Sequence, residues 1–305
     1  MSREERTARW RVGVVGAGNI GGAVAANLAA DGHRVTVHDT DRARLAPLVA
    51  KGAVAADSPA AVGAASEVTF TSLPTPAAVE AVAAAWLEGA PRDAILVDLS
   101  TNAPARVRAL GARLAAAERH LLECPLTGGA PGAQARMLVF MVGGEAAVYR
   151  RCKPLLDRLG RASFHVGPLG LGNTAKLVNS LLAFSAALVS LEGLAVAARA
   201  GIDLRTMIDV VRAGGAGNFF TDRMVEGINE RGRPTQFALG LAAKDAGLLV
   251  DAARESGVPV PLAAQVAQTL VGAVAAGLGD RDFTDVVELI ERQTGVRLSL
   301  PPPRS

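Results

Sequence analysis

Aromatic side chains are scarce. Phe, Trp and Tyr together make up 4% of the 305 residues, with one Tyr and two Trp. No row of rings is left on which sugars or bases could stack. Two cysteines are too few for a disulfide framework or a zinc quartet, and they imply a reducing, cytoplasmic setting. The four histidines (His33, His38, His120 and His165) stand apart, none at ligand spacing to Asp, Glu or Cys, so no metal is expected. No charge of one sign dominates: 32 Lys and Arg are interleaved with 29 Asp and Glu, for a net +3. Without a basic run, nucleic acid is not an expected partner. The opening MSREERTARW carries both signs and lacks the apolar centre of a secretory signal. The longest uncharged apolar stretch, Leu177 to Leu191, has 15 residues between Lys176 and Glu192. A membrane span needs about 20, so a buried helix is expected there and no membrane contact.

What is present is core-forming material, 50% hydrophobic, and an abundance of glycine, 33 residues. The first half alternates strand and helix. Arg11–Val15, Val35–Val37, Val68–Ser72, Ile95–Asp98, Leu138–Val142 and Phe164–Val166 read as strands. Helices are expected up to Ala30, from Asp41 to Lys51, after Ser58-Pro59 and Thr75-Pro76, and from Pro104 to Arg119. Strands joined by helices predict a mainly parallel, doubly wound sheet with ligands beyond the carboxyl ends of its strands. From Asn173 onward the pattern is helical throughout: 174–200, 204–212, 218–230, 238–256, 261–276 and 282–292. The expected division is a dinucleotide-binding α/β domain over 1–168, an all-helical domain over 169–298, and a tail over 299–305 that its prolines keep out of a helix.

Gly16-Ala17-Gly18-Asn19-Ile20-Gly21 follows a strand and opens a helix. Gly16 permits a tight turn, Gly18 a close backbone approach to a pyrophosphate, and Gly21 close packing of helix on strand. Asp39, 23 residues beyond Gly16, can accept both hydroxyls of an adenosine ribose. It disfavours a 2′-phosphate, so NAD is expected, with NADP open because Arg42 and Arg44 stand nearby. Leu73-Pro74-Thr75 and Ser100-Thr101-Asn102 follow strands; each reads either as a capping loop or as cofactor lining. Thr127-Gly128-Gly129 offers a hydroxyl beside exposed backbone N–H groups, suited to a small carboxylate or to mere flexibility. Cys124 reads as packing, not as a nucleophile. Lys176, in the first turn of the expected long helix, sits at the wrong end of the macrodipole for a cation. Such a broken local rule marks either a functional lysine of lowered pKa or one snorkelling to solvent. Asn179 follows at i+3 on the same face. Lys244-Asp245 reads as a helical charged pair.

The order of these motifs resembles the β-hydroxyacid dehydrogenase family, over about Val12 to Arg292. The motifs are the dinucleotide fingerprint, the Pro-x-Thr/Ser-Gly-Gly loop, the Gly-x-Gly-x-x-x-Lys-x-x-Asn helix and the late Lys-Asp. The resemblance implies that Thr127, Gly128 and Gly129 bind the substrate carboxylate. It implies that Lys176 is the general acid/base and that Asn179 holds the substrate. Leu73, Pro74 and Thr101 would contact the cofactor, and Lys244 would approach it from the helical domain. The family implies hydride transfer between NAD(P) and a short β-hydroxy acid, a long interdomain helix, and homodimers or homotetramers. Imine reduction on the same scaffold and a non-catalytic dinucleotide sensor are the alternatives. The helical domain is short for the phosphogluconate branch. The chain departs from the family pattern at several points. Thr127 replaces Ser, Glu123-Cys124 replaces Asp-Ala, Arg136-Met137 replaces a small pair, and Gly214–Phe219 is a loose match to a Gly-Arg-Ser-Trp segment. These departures bear on which substrate side chain is accepted.

Overall fold

A computed structural model describes residues 9–300. The opening MSREERTA and residues 301–305 of the expected tail lie outside the described residues. The elements, in order, are β1 (Arg11–Val15), α1 (Asn19–Ala30), β2 (Arg34–His38), α2 (Ala46–Val49), β3 (Val54–Ala55), α3 (Pro59–Ala65), β4 (Val68–Thr71), α4 (Pro76–Leu87), β5 (Ile95–Asp98) and α5 (Pro104–Ala116). There follow β6 (His120–Glu123), β7 (Leu126–Thr127), α6 (Gly129–Gln134), β8 (Leu138–Gly143), α7 (Ala146–Leu159), β9 (Gly160–Gly167) and α8 (Leu171–Arg199). The chain continues with α9 (Leu204–Ala213), α10 (Phe219–Asn229), α11 (Leu239–Glu255), α12 (Pro261–Ala273) and α13 (Val287–Thr294). The described residues form two compact units, which meet in sequence between Lys176 and Leu177, inside α8.

The first unit is an α/β sandwich around one sheet, in the order β3-β2-β1-β4-β5-β6-β8-β7, with β9 also on β8. The pairs from β3 to β6 are all parallel. β6 and β7 lie antiparallel on β8 in one shared register, Glu123 opposite Gly143 and Thr127 opposite Val139. Side chains alternate between faces along each strand. Ile95 and Val97 therefore join the core under α1 and α7, while Leu96 joins Trp86, Leu110 and Leu114 under α4 and α5. Ser58 and Thr75 cap α3 and α4, each accepting from a backbone N–H three residues on, as their Ser-Pro and Thr-Pro pairs predict.

The expected helix from Asp41 to Lys51 is broken. Asp41 caps a single 3-10 turn, Arg42–Arg44, and the chain re-enters a four-residue α2. Pro47 near the start of α2 lacks the N–H that would continue the preceding turn.

The second unit is helical, as the sequence predicts. Its core gathers Phe184, Leu188 and Leu191 of α8 with Met224, Leu270 and Ile290. That accounts for the apolar stretch from Leu177 to Leu191: much of it faces other helices. A buried ion pair, Arg233 to Asp282 at 3.1 Å, anchors the loop before α11. The Asp282 carboxylate also accepts the backbone N–H of Gln236 and Phe237.

Candidate active site

The parallel strands end at one edge of the sheet, and the loops leaving them carry most of the expected site residues. Gly16 adopts φ +90, and a Cβ there would run into the carbonyl oxygen of Ser72. A Cβ on Gly21 would run into the carbonyl oxygen of Gly16. Both glycines are demanded by the fold itself. Gly18 is not: an added Cβ would meet only Nη1 of Arg44, at an ordinary 3.5 Å. Bare backbone at Gly18 suits instead the close approach of a pyrophosphate. Gly18 N-caps α1 with no side-chain bond. The N–H groups of Asn19, Ile20 and Gly21, in the first turn of α1, are therefore available to an anion.

Asp39, one residue beyond β2, is 8% exposed. Its Oδ2 accepts from Ala17 N at 2.6 Å and its Oδ1 from Asp41 N at 2.8 Å. The carboxylate thus ties the glycine turn to the end of β2, where a ribose would lie. Arg42 turns away to Asp57, at 2.6 Å. Arg44 faces the Asp39 carboxylate, with Nη1 3.8 Å from Asp39 Oδ2 and Nε 3.3 Å from Asp41 Oδ2.

The loops after β4 and β5 touch. Leu73 N donates to Ser100 Oγ at 2.9 Å. Thr75 caps α4 while Leu73 and Pro74 precede it at the same edge, so the capping and lining readings are compatible here. Beneath Thr101, Asp98 is buried at the end of β5 and accepts from Thr71 Oγ1 at 2.9 Å and Ser100 N at 3.0 Å. Burial pushes the Asp98 carboxyl up to about 6, against the pull of its Ser100 and Thr71 donors and with a push from Glu123.

Glu123 is paired with Asp98 in the β5–β6 register and is completely buried. Its Oε1 accepts from the backbone N–H of Gly170 and Gly172, and its Oε2 from Asn173 N at 3.0 Å and Asn173 Nδ2 at 2.6 Å. Burial raises the Glu123 pKa, against the pull of these Asn173, Gly170 and Gly172 donors. In the sequence Glu123 stands beside the Thr127-Gly128-Gly129 loop as a departure and Asn173 within the Gly170–Lys176 segment, neither with a role of its own. The available signal was a carboxylate closing an apolar strand, Leu121-Leu122-Glu123, which needs donors if it is to be buried.

Thr127 ends β7, and Gly128 and Gly129 follow at φ +120 and +60. These backbone angles turn the chain directly into α6. Cys124 is fully buried. Its thiol lies well above the usual range, through burial first and then through Cys152, Glu123 and Asp98, as befits packing. Arg136 holds φ +60 and sends its guanidinium to Asp31 at 2.7 Å and to the carbonyls of Asn27 and Arg158. It closes the end of α1 rather than lining a substrate pocket.

α8 begins at Leu171, three residues before the expected start at Thr174, so Lys176 stands in the second turn. The macrodipole fades within one turn, and the Glu123 carboxylate occupies that helix end. Lys176 therefore lies beyond the first-turn dipole in which its sequence context sets it. Lys176 is half-buried and closes the first unit. Asn179 and Lys244 belong to the second unit. Asn179 lies three residues beyond Lys176 on α8, and Lys244 Nζ is 3.1 Å from Asp245 Oδ1 on α11.

Comparison with known proteins bears on the fold and the family. Residues 11–167 match the family described as the NAD binding domain of 6-phosphogluconate dehydrogenase. Residues 170–290 match that described as NAD-binding of NADP-dependent 3-hydroxyisobutyrate dehydrogenase. The chain is 32% identical over 293 residues to 2-(hydroxymethyl)glutarate dehydrogenase of Eubacterium barkeri, covering 95% of this chain and 97% of that one. It is 33% identical over 266 residues to 3-hydroxyisobutyrate dehydrogenase of Pseudomonas aeruginosa, covering 83% and 88%. Among solved structures, Mycobacterium tuberculosis 3-hydroxyisobutyrate dehydrogenase with L-serine superposes with a TM-score of 0.87 at 26% identity, covering 93% of this chain and 99% of that one.

Proposed function

The chain belongs to the β-hydroxyacid dehydrogenase family, and from that premise we propose that it interconverts a short β-hydroxy acid and its semialdehyde or keto acid, with Lys176 as general acid/base. Relatives named for 3-hydroxyisobutyrate and 2-(hydroxymethyl)glutarate support this substrate class. The observation that carries the reading is a lysine at position six of α8, just beyond a first turn that Asn173 holds next to the loops at the carboxyl edge of the sheet.

NAD is the cofactor, with NADP possible. The bare Gly18 backbone, the uncapped start of α1 and the Asp39 carboxylate fit a dinucleotide, and Arg44 is the group that would meet a 2′-phosphate. Leu73, Pro74, Thr101 and Lys244 complete the proposed cofactor contacts. The nicotinamide ring supplies the hydride acceptor or donor. In oxidation the neutral Lys176 amine takes the hydroxyl proton; in reduction its ammonium returns one to the carbonyl oxygen. Thr127, Gly128 and Gly129 hold the substrate carboxylate through the hydroxyl and backbone N–H groups, and Asn179 orients the substrate beside the lysine.

We also propose a dinucleotide-binding domain over 1–168 and a helical substrate and oligomerisation domain over 169–298. The protein is assigned to the cytoplasm, supported by two cysteines that are both free and buried. It is a homodimer or homotetramer. That assembly is supported by Val178, Leu182, Val189 and Val196 of α8, all exposed, at spacings of four and seven that set them on one stripe.

The test is oxidation of NADH and NADPH with methylmalonate, tartronate and succinate semialdehydes and glyoxylate, with 1-pyrroline as the imine comparison. Lysine-dependent turnover of one of the carbonyl acids is expected. Turnover of 1-pyrroline alone would move the assignment to imine reduction. NADH binding without turnover of any compound would move it to a sensor.

A further inference from the structure

The Glu123 cluster joins three segments that sequence analysis treated separately. The first is the loop after β5, Ser100-Thr101-Asn102. The second is the end of β6, from which the chain passes to Thr127-Gly128-Gly129. The third is the first turn of α8, just before Lys176. Asn173 connects them. Its Oδ1 accepts from Asn102 N at 2.7 Å, and its Nδ2 donates to Glu123 Oε2 at 2.6 Å. Glu123 accepts from Gly170, Gly172 and Asn173 backbone N–H groups as well. Asp98 is the neighbouring carboxylate on β5, itself satisfied by Thr71 and Ser100.

Four donors converge on two oxygens, and a carboxylate supplies that acceptor capacity where an amide would not. The surrounding chain makes room for it. A Cβ on Gly143 would run into the Glu123 carboxylate, and one on Gly172 would lie 2.7 Å from Met141 O and 2.8 Å from Gly143 N. The start of α8 is thereby seated against β6 and β8 through its own otherwise orphaned N–H groups.

We infer that Glu123 and Asn173 are positioning residues for the reaction: they fix the first turn of α8, which directly precedes Lys176, against the cofactor-side loop at Asn102. Neither residue touches the reacting atoms. This rests on the assignment of Lys176 as acid/base, and the experiment separates the two.

Asn173→Ala removes the link to Asn102 but leaves three backbone donors on Glu123. Glu123→Gln keeps the shape of the side chain but loses acceptor capacity. Both are measured beside Lys176→Ala and the double variant Asn173→Ala/Lys176→Ala, for kcat, NADH Kd, Tm and the deuterium isotope effect with 4-deuterated NADH. A displaced lysine should lower kcat about 10–100-fold, while NADH Kd moves less than about threefold, a shift below 1 kcal/mol. The isotope effect on kcat should grow as chemistry becomes rate-limiting. In the Lys176→Ala background, Asn173→Ala should change residual turnover less than about twofold, because coupled residues are not additive. A kcat for Asn173→Ala within about twofold of wild type, with only Tm lowered, would overturn the inference. So would an equal loss with and without Lys176. Should Glu123→Gln fail to fold, Asn173→Ala still decides. If Lys176→Ala itself turns over normally, it is the assignment of the lysine that falls.

Discussion

The three fingerprint glycines look alike in sequence but are required for different reasons. Gly16 and Gly21 are required by neighbouring backbone, whereas Gly18 has room for a methyl group. Gly21→Ala should therefore destabilise the first unit, by about 1–3 kcal/mol for an overpacked contact. Gly18→Ala should leave Tm within about 2 °C yet weaken NADH binding about tenfold or more, because the added carbon occupies the pyrophosphate approach. Thermal melts and NADH titrations of the two variants check this, and equal Tm losses would contradict it. Asp98 carries a second residue-scale consequence. Its carboxyl is raised by burial to about 6 in the fold, above the usual carboxylate value of about 3.9 in an unfolded chain. Between those values the native state holds more protons than the unfolded one, so this group's contribution to stability falls as pH rises through that window. Denaturant titrations from pH 4 to 7 should show Asp98→Asn gaining on wild type as pH rises; a constant difference would contradict it. The separate roles of the three glycines were legible in the sequence as a turn, a close approach and a packing contact; the raised carboxyl of Asp98 was not, since it depends on burial by neighbouring strands.

At the scale of elements, the sequence revealed those whose signals are local. β1 and β5 match their expected bounds, and α3 and α4 start at the expected hydroxyl caps. Two helices went unrecognised because each contains a breaker: Pro131 in α6 and Pro154 inside α7. β6 and β7 were missed for another reason. They are four and two residues long, and they share one register only because β8 supplies the partner. Glu123 likewise acquires its role from donors 47 to 50 residues away. Arg136 shows the opposite error. It stood in the sequence as a departure bearing on the substrate, yet it pairs with Asp31 and closes the end of α1. Arg136→Ala should lower Tm, through loss of a half-buried ion pair and two carbonyl contacts worth about 1–3 kcal/mol, without changing the order of preferred substrates. A changed substrate order with unchanged Tm would contradict this placement.

For the whole molecule, motif order was the most legible feature. A glycine turn, a hydroxyl-Gly-Gly loop and a helical lysine, in that order, led to the family, while strand–helix alternation giving way to helices alone led to the α/β-then-helical architecture. The length and apolarity of α8 would also suit a membrane span. Its Phe184, Leu188 and Leu191 instead pack into the helical core, while Leu182 and Val189 remain on an exposed stripe. Leu182→Glu should shift the proposed assembly toward monomers in analytical ultracentrifugation, since a charge placed in an apolar contact costs several kcal/mol unless paired; an unchanged sedimentation coefficient would remove that stripe from the interface. The claim on which the rest depends is the chemistry of Lys176. Its most direct test is single-turnover reduction of the preferred carbonyl acid by pre-bound NADH, with wild type and Lys176→Ala side by side. The expected result is normal NADH affinity and a rate lowered about 10²–10⁴-fold, the range of a general acid–base group. A near-normal rate in the variant would contradict the assignment of the lysine.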